Sequence, residues 1–345
     1  MNFYQYSQAF RKKALAATFS DEEIQKCLTY AKPIIEQKLP VVYNTTHLAA
    51  LVGYRKVYLK KTALYTDYFY RKFIISKRNG KPRQIAEPLP SLKEIQLWIL
   101  KNILENVPVS KFAKAYLPAR NIIDNAKYHV GKPLILKLDI KDFFGSVSQK
   151  SVEQIFINLK YSSNISNLLS KLCTLNGSLP QGASTSPYLS NLYLSVFDDI
   201  VGKYAIKAKI RYTRYADDMT FSGEFNPNNV LQFIECELHN LGLYLNKSKI
   251  FIMRQHTRQL VTGIVVNKKM QVPKRDRQNL RLEMHFIKKF GLENHLEKTK
   301  NNRANYLHHL IGKLNFFITI NPDDKEFVDY KLFVINTYLK ENLQA

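Results

Sequence analysis

Two short segments rich in aromatic and β-branched residues flank a pair of adjacent aspartates, Asp217 and Asp218. The segments are residues 209–214 (KIRYTR) and 219–223 (MTFSG), and Gly223 closes the second one. Aromatic and β-branched residues favour strands, so the pattern predicts two strands joined by a tight turn with both carboxylates at its tip. Adjacent carboxylates resist ionising together, and a divalent cation bound to their oxygens removes that conflict. A solvated acidic turn is the alternative interpretation of this pair.

A third carboxylate, Asp139, ends another predicted strand. Leucine or isoleucine occupies every second position of residues 134–140 (LILKLDI), which places Ile135, Lys137 and Asp139 together on the opposite face. We therefore expect Asp139 to point away from the packed face. It is then either a strand-end acid paired with Lys137 or Lys141, or part of the same site as the Asp217 turn.

The order of elements decides between these alternatives. Two amphipathic helices are predicted between the Asp139 strand and the aspartate hairpin, one after residues 146–148 and one with Ser186 as N-cap and Pro187 as first residue. The apolar stripe of the second helix is Leu189, Leu192, Tyr193, Val196 and Ile200. If both helices pack behind one sheet, the Asp139 strand lies beside the hairpin and the three acids converge at one edge. Such a site suits two metal ions ~3.5–4 Å apart, which activate a 3′-hydroxyl and stabilise a leaving pyrophosphate.

A basic β-hairpin is predicted over residues 70–86, because Asn79-Gly80 supplies the positive φ angles of a type I′ turn. Its basic residues are Lys77, Arg78, Lys81 and Arg83. The hairpin is either an ordinary charged edge that prevents aggregation or a flap over the phosphates of an incoming nucleotide. We favour the flap, since clustered Arg and Lys neutralise a triphosphate.

The composition indicates a globular protein that binds a polyanion. Lys and Arg number 52 against 28 Asp and Glu, a net charge of +24, and the 21 Tyr and 20 Phe add stacking surfaces for bases. The three cysteines are far apart in sequence, which argues against a disulfide framework or a zinc site and fits a reducing cytoplasm. No signal peptide or apolar run of about 20 residues is present, so we expect a cytoplasmic protein with no membrane contact.

Ordered motifs resemble those of reverse transcriptases over roughly residues 70–320. They are LDIKDFF at 138–144, LPQG at 179–182, YADD at 215–218 and LNKSK at 245–249. Two further strings, NAKYH at 125–129 and Val261-Thr262-Gly263, are similar to the N-A-x-x-H and V-T-G signatures of the bacterial retron type. The resemblance implies an α+β right-hand polymerase fold. Residues 1–130 would form N-terminal helices and fingers, 131–265 the palm with finger residues interleaved at about 150–185, and 266–345 a helical thumb.

The resemblance also implies roles for individual residues. Two Mg²⁺ ions would be held by Asp139, Asp217, Asp218 and the backbone carbonyl of Ile140, and Lys249 would protonate or neutralise the leaving pyrophosphate. Nucleotide-binding residues would be Lys77, Arg78, Arg83, Phe144 and Gln181, with the Phe144 ring excluding a 2′-hydroxyl. RNA or primer contacts would come from Asn125, His129, Val261, Thr262, Gly263, Lys274, Arg275 and Arg277. Each of these residues also has an alternative interpretation. That of Phe144 is packing in the core, that of Gln181 is a hydrogen bond within its loop, and that of Lys249 is a solvated side chain. For Asn125 and His129 the alternative is a structural role.

Residues 259–266 and 270–273 are predicted to form a hairpin around 267–269 that grips the primer end. The implied function is copying part of a structured noncoding RNA into DNA from an RNA 2′-hydroxyl. The product would be a branched RNA–DNA hybrid that works with an effector protein, encoded nearby, against phage. There are two alternatives to this function. One is another defence-type or group II-like bacterial reverse transcriptase, which shares the same acids, and the other is an RNA-binding scaffold without catalytic activity.

Overall fold

The computed structural model describes residues 2–76, Gly80 and 82–339. Its α-helices are α1 (Phe3–Ala16), α2 (Asp21–Glu36), α3 (Thr45–Val52), α4 (Lys56–Leu64), α5 (Pro90–Asn102), α6 (Ile122–Ala126), α7 (Phe143–Ser146), α8 (Gln149–Asn158), α9 (Ser163–Cys173), α10 (Ser186–Tyr193), α11 (Ser195–Lys207), α12 (Pro227–Asn240), α13 (Lys274–Phe290), α14 (Leu292–Thr299), α15 (Tyr306–Ile320) and α16 (Lys325–Val334). Short 3₁₀ turns lie at Thr66–Phe69, Leu104–Asn106, Lys127–His129 and Lys247–Lys249, and a π-helical turn lies at Ile335–Leu339. No helix in this described part of the chain is long and apolar enough to cross a membrane.

A four-stranded antiparallel sheet occupies the middle of the chain. The strands are β1 (Tyr70–Ser76), β2 (Pro82–Pro88), β3 (Leu134–Asp139), β4 (Arg211–Tyr215), β5 (Asp218–Gly223), β6 (Phe251–Arg254), β7 (Leu260–Val261) and β8 (Ile264–Val265). The central sheet has the order β4-β5-β3-β6, and β1-β2 and β7-β8 form separate hairpins. The predicted placement of the Asp139 strand beside the aspartate hairpin is confirmed, because β3 pairs with β5.

The two faces of β3 enter two different hydrophobic cores. Leu136 and Leu138 pack into a core built with the helices α8 to α12, which therefore lie behind the sheet. Ile135 is fully buried in a second core with residues of β7, β8, α13 and α15. The expectation that the Ile135 face would be the unpacked one is therefore wrong for this end of the strand. The architecture is the expected α+β class, with one antiparallel sheet backed by helices.

Two helix predictions need correction. The helix expected to start with Ser186 as N-cap has Thr185 as its N-cap residue, and the expected single stripe is divided at Leu194 between α10 and α11. The division rotates the second half, so that Phe197 and Val201 are buried whereas Val196 is 72% exposed.

Helices α9 and α12 were not predicted. Their apolar residues meet neighbouring helices, a pairing that local periodicity does not reveal.

The predicted hairpin over 70–86 is confirmed, with Ser76 paired to Pro82 in register. Its turn residues Lys77, Arg78, Asn79 and Lys81 lie outside the described residues. The predicted hairpin over 259–273 is reorganised, because Thr262 and Gly263 have φ angles of +46° and +84° and fold residues 260–265 into a tight hairpin of their own. Only the Val265–Gln271 bridge remains of the pairing expected in the described chain.

Candidate catalytic carboxylate site

Three aspartates meet at one end of the central sheet. Asp139, the last residue of β3, is the register partner of Asp218, the first residue of β5. The backbone N–H of Ile140 donates to the carbonyl oxygen of Asp217 at 3.1 Å. Ala216 has a φ angle of +59°, and this left-handed residue makes the sharp turn that places Asp217 beside the end of β3. Sheet pairing therefore brings together carboxylates that are about 80 residues apart in sequence.

The site concentrates negative charge that is only partly balanced. Burial, reinforced by the charges of Asp139 and Asp218, raises the pKa of the Asp217 carboxyl to about 6. Lys249 Nζ lies 2.6 Å from Asp139 Oδ2, and Lys137 Nζ lies 3.1 Å from Asp218 Oδ2. Burial lowers the pKa of Lys249, but its hydrogen bond to Asp139 and the three carboxylate charges outweigh burial and raise that pKa above its usual value.

The alternative in which Asp139 pairs with Lys137 or Lys141 is not the one observed, because the lysine bound to Asp139 is Lys249. Asn246 also holds Asp139, since its backbone N–H donates to the Asp139 carbonyl at 2.8 Å. The LNKSK segment therefore packs against the end of β3. The segment is one of the sequence motifs, but the motif did not predict that Asn246 contacts Asp139.

The donor set suits a hard divalent cation. In the described chain, no three Asp, Glu, His or Cys side chains are arranged around a common point as ligands of one ion. Asp139 and Asp218 instead form ion pairs with Lys249 and Lys137, whose ammonium groups balance part of the carboxylate charge. Burial is the main cause of the raised pKa of Asp217 and repulsion among the carboxylates adds to it, and a divalent ion bound to their oxygens would relieve that repulsion. The residues present therefore fit such an ion once the lysines move aside.

A cavity of about 410 Å³ lies between the β1–β2 hairpin and the 179–182 loop, and Arg83 and Gln181 both line it. The backbone N–H of Ala86 donates to the carbonyl of Gln181 at 2.8 Å. Gly182 is required here, because a Cβ atom at that position would lie 2.5 Å from the Ala86 carbonyl oxygen. The hairpin is thus docked against the loop, and Arg83 and Gln181 face one space.

Tyr116 is a site residue that sequence reasoning missed. Its ring centroid lies 6.4 Å from that of Phe144, which is half-buried. Burial raises the pKa of Tyr116 to about 12, and the charge of Asp217 adds to the rise while that of Arg83 opposes it. Tyr116 therefore lies among Phe144, Asp217 and Arg83. Its φ angle of +62° is a tertiary feature, and no local sequence signal points to it.

The two named side chains of the N-A-x-x-H signature are buried. Asn125 and His129 are both fully buried, which favours the structural alternative for these two side chains over direct contact with RNA. His129 Nδ1 lies 2.7 Å from Ser222 Oγ, and Nε2 lies 2.8 Å from Thr213 Oγ1. Burial, followed by the charges of Arg211 and Lys132, lowers the pKa of His129 to about 3. The neutral ring therefore joins the 125–129 segment to β4 and β5.

The other residues that were expected to contact RNA differ in how exposed they are. Val261 is fully buried, and Thr262 Oγ1 donates to the Ile122 carbonyl at 3.2 Å, so these two join β7 to α6. Gly263 is exposed at the tip of the β7–β8 turn. Lys274 and Arg275 are exposed in the first turn of α13.

Arg277, which was also expected to contact RNA, makes contacts within the protein. Its guanidinium donates to Asp324 at 2.9 Å and lies 5.7 Å from the Phe327 ring centroid. These internal contacts join α13 to α16. Arg277 is therefore occupied within the protein.

A buried charge network supports the aspartate turn from behind, and sequence reasoning missed it. Arg214 is fully buried and donates to Asp198 of α11 through Nε at 2.8 Å and Nη2 at 2.5 Å. Its Nη1 donates to the carbonyl of Ala216 at 2.9 Å and to Asn191 Oδ1 at 3.1 Å. Arg214 therefore ties the strained residue of the turn to the helices behind the sheet.

Comparison with known proteins agrees with this geometry. Residues 75–309 match the family model described as reverse transcriptase (RNA-dependent DNA polymerase), a domain that generally uses divalent metal ions. The chain is 32% identical to the Retron Ec86 reverse transcriptase of Escherichia coli over 254 residues, covering 72% of this chain and 79% of that one. It is 30% identical to the Retron Mx65 reverse transcriptase of Myxococcus xanthus over 312 residues, covering 84% and 71%.

Among solved structures, the chain aligns with telomerase from Candida albicans in complex with a TWJ fragment of telomeric RNA. The TM-score is 0.44 at 13% identity, and the alignment covers 78% of this chain and 60% of that one. The family model and the retron relatives confirm the resemblance seen in the motifs. The chain therefore belongs to the retron-type reverse transcriptases and is an RNA-directed DNA polymerase with the right-hand fold.

Proposed function

We propose that this protein copies part of a structured noncoding RNA into DNA from an RNA 2′-hydroxyl primer and so produces a branched RNA–DNA hybrid used in defence against phage. The convergence of Asp139, Asp217 and Asp218 at one end of the sheet is the observation that carries the polymerase part. Similarity to retron reverse transcriptases supports a structured noncoding RNA as the template and an RNA 2′-hydroxyl as the primer. An effector protein encoded nearby completes the proposal.

In this proposal, the three aspartates and the backbone carbonyl of Ile140 hold two Mg²⁺ ions. Bound there, such ions would supply activation of the attacking hydroxyl and stabilisation of the charge on the leaving pyrophosphate. Lys249 already carries a raised pKa, so it stays protonated and has a charge to offer the pyrophosphate. The present contact of Lys249 with Asp139 keeps that ammonium group at the reacting end of β3.

Other residues of the proposal position the nucleotide. Arg83 neutralises phosphate charge from the cavity that it shares with Gln181, whose amide contacts the sugar or the template base. Lys77 and Arg78, which lie outside the described residues, are proposed to bind the same phosphates. Phe144, held beside Tyr116, excludes a ribose 2′-hydroxyl.

The proposed lobes are N-terminal helices and fingers over 1–130, a palm over 131–265 and a thumb over 266–345. In the thumb, Lys274 and Arg275 are exposed and would follow RNA phosphates without reading bases. Affinity for RNA should therefore fall steeply as salt rises. Gly263 at its exposed turn is a further proposed contact, close to the primer end.

The direct test is to sequence the nucleic acid that copurifies with the protein and to treat it with a 2′–5′ debranching enzyme. We expect a DNA strand whose 5′ end is released from RNA by that treatment. Purified protein should also extend a primed RNA template with Mg²⁺ and dNTPs, whereas the Asp217→Asn variant should not. Linear DNA with an ordinary 5′ end would refute the branched product, and failure of the wild type to extend any primed RNA would refute the polymerase role.

A further inference from the structure

A second cavity, of about 500 Å³, opens at the outer edge of β4, on the side of that strand opposite β5. It lies between the 109–120 loop, the end of α11 and β4, and Tyr128 of the NAKYH segment lines it. The volume is within the ~300–1,000 Å³ typical of sites for small ligands. No role described above uses this space.

The charge of the cavity is of one sign. Of the described residues that line it, Lys111, Lys114, Arg120 and Arg211 are basic and none is acidic. Lys114 is only 6% exposed, and its Nζ contacts the Lys111 carbonyl at 2.5 Å and the Tyr128 ring, whose centroid is 4.7 Å away. Among the described residues, no carboxylate lies within ion-pair distance of this buried ammonium. A buried cation without a counter-ion is costly, so the cavity is suited to an anion.

The cavity also offers a ring and a strand edge. Tyr128 is 37% exposed, so part of its ring is open to a ligand. On the cavity side of β4, the Arg214 backbone already pairs with the 112–114 segment, through Arg214 N to Phe112 O at 2.9 Å and Lys114 N to Arg214 O at 2.8 Å. Because backbone groups alternate along a strand, Tyr212 turns its N–H and C=O to this same side. The cavity thus combines cations, an aromatic ring and main-chain hydrogen-bonding groups.

The buried members of the NAKYH segment hold Tyr128 in this place. His129 is hydrogen-bonded to Thr213, which also lines the cavity, and to Ser222 of β5. Tyr128 directly precedes His129, so its backbone is held beside β4, and its ring contacts Lys114 Nζ. This geometry gives the segment a physical role, in which the buried histidine positions the exposed tyrosine.

We propose that this cavity binds one unpaired nucleotide of the RNA, with its base on Tyr128 and its phosphate on Lys114 and Arg211. Stacking on an aromatic ring and contact of phosphate with Lys or Arg are the ways in which proteins hold single-stranded RNA. This inference rests on the proposed function, because it assigns a contact to the RNA that the enzyme copies. A free nucleotide carries the same chemistry, and the experiment separates the two sources.

The test uses the full-length protein and a 12-nucleotide single-stranded RNA that carries 4-thiouridine and a fluorescent label. After irradiation, we expect the crosslinked peptide to contain Tyr128. Unlabelled RNA should compete with the crosslink, whereas millimolar dNTPs or inorganic phosphate should not. Loss of the crosslink to dNTPs or phosphate would overturn the RNA assignment in favour of a free-nucleotide pocket, and crosslinks that map only elsewhere would overturn the site.

Variants measure the contribution of each group. Tyr128→Leu should weaken RNA binding about tenfold, as expected for loss of one stacked base, and Tyr128→Phe should retain the affinity. Arg211→Gln should weaken binding and reduce the slope of log affinity against log salt by about 1. Lys207→Gln is the matched control, since Lys207 is exposed on α11 but does not line the cavity. Equal weakening by Arg211→Gln and Lys207→Gln would indicate a diffuse basic surface and contradict the proposal.

Polymerase activity separates this inference from the function on which it rests. The wild type should extend a DNA primer on a homopolymeric RNA template, and Tyr128→Leu should raise the KM for that template whereas the control Lys207→Gln should leave it unchanged. If the wild type extends that template but Tyr128→Leu binds RNA as tightly as the wild type, the cavity assignment alone fails. If the wild type does not extend it, the proposed function fails whatever the crosslink shows.

Discussion

Replacing Asp198 with asparagine should destabilise the protein strongly, because Asp198 is the counter-ion of a fully buried arginine. Arg214 and Asp198 are both 0% exposed, and the Asp198 carboxylate accepts from Arg214 and from the Tyr212 hydroxyl, the latter at 2.7 Å. Burial lowers the pKa of Arg214, but the Asp198 charge more than offsets this and raises that pKa above its usual value. Arginine is not deprotonated in proteins, so Arg214 stays charged when its partner is neutralised.

The size of the effect follows from the loss of one member of a buried pair, which costs about 3–5 kcal/mol in the free energy of unfolding. Asparagine keeps the size of the side chain, so little of this cost comes from a cavity. For a chain of 345 residues, the loss corresponds to a decrease in melting temperature of roughly 4–7 °C. The Asp198→Asn protein should also lose activity, since Arg214 supports the Ala216 carbonyl in the aspartate turn.

Thermal and urea unfolding of Asp198→Asn and of Asp199→Asn provide the measurement and its control. Asp199 is the next residue, is exposed, and accepts the Ser110 hydroxyl at 2.7 Å, so its substitution should cost less than about 1 kcal/mol. The reasoning is refuted if the two variants unfold at the same temperature and denaturant concentration. That result would mean that the buried pair contributes nothing that asparagine cannot supply.

The double variant Asp198→Leu with Arg214→Met separates stability from catalysis. Replacing both charges with apolar groups of similar volume is often close to neutral for stability, so the melting temperature should largely recover. Activity on a primed RNA template should not recover, because no group then donates to the Ala216 carbonyl. Recovery of both properties would show that Arg214 has no role in holding the turn.

Three further predictions concern the site and its support. Lys249→Met should lower kcat about 100-fold or more with little change in melting temperature, as measured by single-nucleotide extension, if Lys249 acts on the leaving pyrophosphate; unchanged kcat would exclude that role. Phe144→Ala should raise incorporation of ribonucleotides relative to deoxyribonucleotides by about tenfold, whereas equal discrimination would show that the ring only packs against Tyr116. His129 has its pKa lowered to about 3 in the folded protein, so its contribution to stability is complete above its unfolded pKa of about 6.5 and is lost as pH falls from there toward 3. The wild type should therefore lose up to about 1.4 kcal/mol per pH unit more than His129→Gln in that window, measured by urea unfolding, and parallel pH profiles would contradict it.

Local sequence determined those elements whose signal lies within a few residues. The alternation of residues 134–140, the aspartate turn and the basic hairpin over 70–86 were all predicted correctly as elements, and sheet pairing confirmed that the Asp139 strand lies beside the turn. The motifs in their order were sufficient to identify the family. Local periodicity did not predict the division of the helix at Leu194. Burial of Phe197 and Val201 requires this break, and no glycine or proline marks it in the sequence.

Contacts between distant segments were decided only by the tertiary structure. The partner of Asp139 is Lys249 and not the lysines next to it, because the LNKSK segment packs against the end of β3. The histidine of the NAKYH segment is buried against β4 and β5, and its neighbour Tyr128 is the residue that reaches a basic cavity. Sequence motifs thus identified the three acids that converge at the end of the sheet, whereas their contacts and those of the buried Arg214 network join residues 14 to 110 positions apart. Pairing over such distances depends on the summed packing of the whole core, and no local pattern in the chain encodes it.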